Sequence, residues 1–134
     1  MPFQLDIVTP EKTIFSDQVE NVYLPGSEGE MGILAMHSAM VTPIAPGELR
    51  YLKDGKVEEL AVGEGFVEVT QEKATVLTDL AVGDDEINEA KVEEAMKRAQ
   101  EALDGVGDDA DEQMALQVLI AKSEAMLKLK RKSR

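Results

Sequence analysis

Leu24–Arg50, LPGSEGEMGILAMHSAMVTPIAPGELR, decides how the rest of the chain is read. It holds four glycines and three prolines around short apolar runs. Gly26, Gly29 and Gly32 recur at every third position, a spacing that suits neither a helix nor an uninterrupted strand. Glycine accepts positive φ and leaves room for a neighbouring backbone, so the spacing predicts tight turns or bulges. Glu28 and Glu30 fall between those glycines, which reads as a loop too polar for a core. Pro43 and Pro46 favour extended chain, and Gly47 then turns it.

Outward from this stretch, the first part of the chain reads as short strands. Phe3, Leu5 and Ile7 alternate with Gln4 and Asp6, the period of a half-buried strand. Val19, Val22 and Leu24 mark a second strand region. Leu49 to Leu52 and Val57 to Leu60 flank Lys53-Asp54-Gly55-Lys56, and Asp-Gly between strand-like runs predicts a hairpin with positive φ at both central residues. Gly65 to Thr70 and Ala74 to Thr78 form another pair around Gln71-Glu72-Lys73. Many short strands with frequent turns predict an antiparallel β-sandwich or barrel.

After Gly83 the composition changes. Every Pro, Thr and aromatic residue lies before it, and the remainder of the chain is rich in Ala, Glu, Lys, Met and Leu. That shift predicts two units, an antiparallel β-sandwich over residues 1–84 and an α-helical hairpin over 85–134. In the first helix Ile87, Ala90, Ala95, Met96, Ala99, Ala102 and Leu103 form the apolar face. Gly105-Val106-Gly107 stops it, and Asp108 or Asp109 can cap the next helix. There the apolar residues are Met114, Val118, Leu119, Ala121, Ala125, Met126 and Leu129. Because Ala buries little area, docking of this hairpin should be modest in energy. A fixed hairpin and one able to pack in more than one place are both compatible with this pattern.

Composition narrows the function. The net charge is −13, which argues against nucleic acid and anionic lipid as partners. Through Asp85 there are 16 acidic and 5 basic residues, whereas Lys122 to Arg134 carries 6 basic residues against Glu124. A basic end thus closes an acidic protein. There is no cysteine, so disulfides and thiolate metal sites are excluded. No apolar run approaches the roughly 20 residues that span a bilayer, and MPFQLDIVTPEK lacks the features of a signal peptide. The expectation is a soluble cytoplasmic protein whose membrane association is indirect. His37 is the only histidine, and no nucleophile elbow, phosphate loop or calcium loop is present. Neither catalysis nor a metal site is expected.

The chain resembles the epsilon subunit of the F-type ATP synthase (delta in mitochondria). The residues that carry this are Gly26-Ser27-Glu28-Gly29-Glu30-Met31-Gly32-Ile33-Leu34, then His37, then Thr42-Pro43-Ile44-Ala45-Pro46-Gly47. Asp6 to Lys12 with Phe15 is similar to the family's start. The family usually has Gly before the histidine and Pro two positions after it, where this chain has Met36 and Ala39. The resemblance implies a non-catalytic central-stalk subunit that couples ion-driven rotation of the c-subunit ring, through gamma, to ATP synthesis by alpha and beta. It implies a peripheral place on the cytoplasmic face of an energy-transducing membrane, such as a bacterial inner membrane. It also implies a large, partly apolar sheet face left exposed for gamma.

Site residues are implied by the same resemblance. Glu30, Met31 and His37 are the expected contacts with gamma or the c ring, although for His37 a structural or surface role is the plainer reading. Leu34 would add apolar contact, although core packing is the stronger reading for it. Lys122, Lys128, Lys130, Arg131, Lys132 and Arg134 would meet an acidic segment of beta and restrain ATP hydrolysis; the plainer reading is a frayed, solvated helix end favoured by the helix dipole. Some family members bind ATP through an I/L-D-x-x-R-A pattern and a later Arg. Here Ile87, Asn88 and Lys91, with Arg98 beyond, give a degraded form of it, with Val92 in place of the final Ala. Lys91 keeps a charge but not the planar donor fork of Arg. No cofactor is therefore expected, and tight ATP binding is read against. Two rivals stand beside this reading: a nucleotide-sensing module, and a sandwich-and-hairpin adaptor outside energy conversion.

Overall fold

The computed structural model describes residues 2–34 and 39–133. Among them ten strands come first: β1 (Phe3–Val8), β2 (Thr13–Val19), β3 (Asn21–Gly26), β4 (Gly29–Leu34), β5 (Met40–Ile44), β6 (Gly47–Lys53), β7 (Lys56–Val62), β8 (Gly65–Val69), β9 (Lys73–Thr78) and β10 (Ala81–Val82). A 3₁₀ turn at Asp84–Glu86 leads to helices α1 (Glu89–Asp104) and α2 (Ala110–Lys132).

The strands form two layers. One runs β10–β7–β6–β3–β4 and the other β5–β8–β9–β1–β2. Their ladder connection is the pair Gly26 with Ile44 between β3 and β5. All described pairings are antiparallel except β1 with β9. That parallel ladder joins strands distant in sequence, so no turn signal announces it. Side chains close the rim between layers: Lys53 pairs with Asp17 at 2.6 Å, and the Phe15 and Tyr51 rings lie 4.4 Å apart.

Alternation sets which residues face inward. Phe3, Leu5 and Ile7 of β1 are buried, and Val22, Leu24, Ile33, Leu49, Val62, Val67 and Val76 meet them in one core. The Asp54-Gly55 turn has φ of 52° and 78°, as a two-residue hairpin with the twist of its strands requires. At Gly65 a Cβ would lie 1.8 Å from the Leu77 carbonyl oxygen, so the β8–β9 approach admits only glycine.

The helices pack on the outer side of the first sheet. Asn88 caps α1 by accepting from the Lys91 amide, and Asp109 caps α2 by accepting from the Glu112 amide. A small cluster of Ala61, Ile87, Ala125 and Leu129, with Val82, Val92 and Met126 around it, holds the hairpin to the sandwich. Full burial of Leu129 and Ile87 contributes about 1.5–3 kcal/mol each, and the alanines much less. The predicted face of α2 needs correction. Met114 and Leu119 are 61% and 43% exposed, while Leu127 is buried. Ala90 and Ala102 of α1 also face water. The second half of α2 is covered by both α1 and the sheet, so its apolar residues do not form a single stripe.

Candidate functional site

The glycine-rich stretch folds as the β3–β4 hairpin. Gly26 pairs with Gly29 across the turn at Ser27-Glu28, and Gly29 has φ 127°. Glu30 lies on β4, not in the loop, because the turn takes only two residues. A cross-strand row explains Gly32: it stands opposite Tyr23, and a Cβ there would come 2.8 Å from Tyr23 Cε1. The Tyr23 ring thereby lies flat enough for the Arg50 guanidinium to sit 4.6 Å over it. Arg50 Nη1 and Nη2 donate to the Glu30 carboxylate at 2.7 and 3.2 Å, and that pairing holds Arg50 above its usual pKa. Glu30 is thus a fixed, half-exposed charge at the turn end of the sandwich. Met31 is half-buried and packs on the main core. Leu34 ends β4, roughly 13 Å along the strand from Glu30. His37 lies outside the described residues.

Among the described residues, nothing covers the outer face of the second sheet, and that face is divided. At one end the Asp6 carboxylate accepts from Gln4 at 2.8 Å and Ser16 at 2.7 Å and pairs with Lys73 at 2.7 Å. Lys73 above all, then Gln4 and Ser16, hold the Asp6 carboxyl down to about 2. At the other end Pro43, Phe66, Leu77 and Val8 stand in register across β5, β8, β9 and β1. Phe66 is 54% exposed and Leu77 48%, and Val41 on the same face is 66% exposed. An open cleft of about 350 Å³, lined by Val8, Thr9, Pro10, Gly65, Leu77 and Thr78 with Glu64 and Asp79 at its edge, continues this row. The residues of this patch lie outside the contacts expected from sequence. A signal for them is nonetheless present: Phe66-Val67 and Val76-Leu77 place apolar side chains on both faces of a strand.

The basic end of α2 is neither frayed nor solvated as a whole. Lys122 pairs with Asp79 at 2.6 Å, and Lys130 donates to the Asp84 carbonyl at 2.9 Å. Arg131 pairs with Glu89 at 2.9 Å and Glu93 at 2.5 Å, tying α2 to α1. Lys132 pairs with Glu48 at 2.9 Å and also with Glu59. The carboxylates raise the pKa of both cations, Glu89 foremost for Arg131 and Glu59 for Lys132. Lys128 is exposed, and Arg134 lies outside the described residues.

The residues of the degraded ATP pattern have structural roles. Ile87 is buried in the docking cluster. Asn88 is the α1 cap, for which Asn serves as well as Asp. Lys91 is exposed one turn on, and Arg98 pairs with Glu94 at 3.3 Å two turns further up α1.

Residues 2–84 match the family model described as ATP synthase, Delta/Epsilon chain, beta-sandwich domain. An ATP synthase epsilon chain of Herpetosiphon aurantiacus is 42% identical over 103 residues, covering 77% of this chain and 76% of its own. One of Ruthia magnifica is 35% identical over 130 residues, covering 97% and 94%. Among solved structures, a chain of the Euglena gracilis mitochondrial ATP synthase superposes with a TM-score of 0.79 at 24% identity, covering 93% of this chain and 79% of that one. A chain of the Tetrahymena thermophila mitochondrial enzyme does so with a TM-score of 0.57 at 12% identity, covering 99% and 96%. With the sandwich matched from end to end and relatives extending through the helices, the chain belongs to the family of ATP synthase delta/epsilon chains.

Proposed function

We propose that the chain is a non-catalytic subunit of the central stalk of a rotary ATP synthase. Its sandwich binds gamma through the bare outer face of the second sheet, while the β3–β4 turn, with Glu30, meets the c-subunit ring. It thereby couples ion-driven rotation of the ring to synthesis by alpha and beta. The observation that carries this is the asymmetry of the sandwich. The hairpin covers one outer face, and the other presents Val41, Pro43, Phe66 and Leu77 to water. Exposed apolar area of this kind, rimmed by Glu64 and Glu68, suits a protein partner. The Euglena relative is described in an assembly of OSCP, F1 and c-ring, and the Tetrahymena relative in a central stalk with c-ring, which supports the same placement. No helix among the described residues is long and apolar enough to cross a membrane, so attachment to the cytoplasmic face of the membrane would come through the complex.

The hairpin is proposed to restrain ATP hydrolysis. Lys122, Lys130, Arg131 and Lys132 are paired within the chain, so contact with an acidic segment of beta requires exchanging those partners. Tight ATP binding is not proposed, because Ile87 and Asn88 are occupied in docking and capping. Tagged chain expressed in its own cells should copurify alpha, beta and gamma. Recovery of the folded chain without gamma would leave the adaptor reading in its place.

A further inference from the structure

One carboxylate on the outer face of the first sheet stands between cations from two elements far apart in sequence. Glu59 on β7 stands directly opposite Arg50 on β6. Glu59 is also one of the two carboxylates that hold Lys132 at the end of α2, and Glu48 is the other. Arg50 is drawn the opposite way, to Glu30 at 2.7 Å, with the Tyr23 ring beneath it. Side chains opposite each other on neighbouring strands start only about 5 Å apart at Cβ, so Glu59 lies within reach of the guanidinium. Glu30, Arg50, Glu59, Lys132 and Glu48 therefore alternate in sign across the face.

We propose that this line of charges couples the β3–β4 turn to the seating of the helical hairpin, with Arg50 as the toggle between Glu30 and Glu59. While Glu30 holds Arg50, Glu59 is left to Lys132. When Glu30 is neutralised, the guanidinium turns to Glu59, shares its carboxylate and repels the Lys132 ammonium. Lys132 matters beyond one surface pair. The Glu48 side chain is only 16% exposed; its buried Oε1 lies 2.9 Å from the Lys132 ammonium, close enough for charge pairing but without an aligned hydrogen bond. A seated hairpin without Lys132 in place would leave that carboxylate covered and uncompensated, which favours the unseated state. The apolar docking cluster is small, so a modest electrostatic change shifts the seating equilibrium measurably.

A partner group that neutralises Glu30 would then loosen the hairpin. That consequence rests on the contact reading given above, but the coupling is a property of the chain alone and is tested without a partner. Hydrogen exchange is followed at the amides of Ser123 to Lys132 in the full chain at low salt. Glu30→Gln should speed exchange roughly threefold, and about 1 M salt should shrink the difference. Lys132→Met should speed it at least as much. In an Arg50→Met background, Glu30→Gln should add nothing. The proposal is overturned if Glu30→Gln leaves exchange unchanged, if Lys132→Met does, or if the Glu30→Gln effect persists without Arg50.

Discussion

Leu129→Ala should release the hairpin while leaving the sandwich intact. Leu129 is 3% exposed and sits against Ala61, Ile87 and Ala125, in a cluster separate from the main core. Truncating a buried Leu costs about 2–5 kcal/mol where the surroundings cannot close in. Here the helix can lift away from the sheet, so the low end, about 2 kcal/mol, applies. By the usual factor of ten per 1.4 kcal/mol, that is roughly a thirtyfold rise in opening. Native-state hydrogen exchange separates the layers: amides of Ser123 to Leu129 should exchange faster by about that factor, and those of Leu5 and Val76 should not change. If the β1 and β9 amides accelerate equally, hairpin and sandwich open as one unit. The claim of a weakly held, separable layer would then be wrong.

Three other outcomes are expected. The Asp6 carboxyl should titrate by NMR with a midpoint about 2. Since its folded pKa is depressed, its stabilisation is present above the ordinary value of 3.8 and is lost as pH falls through about 2; a midpoint near 3.8 would contradict the Lys73 pairing. Gly65→Ala should cost about 3 kcal/mol in urea unfolding, the upper end of the usual overpacking range, because the clash at 1.8 Å is with backbone that cannot turn aside, and a loss under about 1 kcal/mol would refute it. Deleting residues after Asp85 should leave assembly and ATP synthesis largely intact and raise ATP hydrolysis. Unchanged hydrolysis would reduce the hairpin to scaffolding.

Local rules are readable directly. Asp54-Gly55 announces its turn because only certain residues adopt positive φ at both positions, and Phe3, Leu5 and Ile7 announce their face through alternation. Asp109 can be recognised as a cap from its acidic first turn and the Glu three residues on. The hidden part depends on which strands meet. Nothing near Gly32 in sequence tells of Tyr23 or Arg50, yet the ring between them is why a side chain is excluded there. The basic end is visible as composition, but its partners Glu48, Glu59 and Asp79 lie about 40 to 80 residues away, and such pairings leave no periodic trace. The apolar patch is obscured for a different reason. Doubled apolar residues in β8 and β9 read equally well as a strand buried on both sides.

Titration of the purified chain against gamma puts the open face to the test most directly. Wild type, and a chain truncated after Asp85, should bind alike, whereas Phe66→Asp/Leu77→Asp should weaken binding at least about a hundredfold with the fold unchanged by circular dichroism. Equal binding by the double variant, or no binding by the wild type, would contradict the assignment of that face to the rotor.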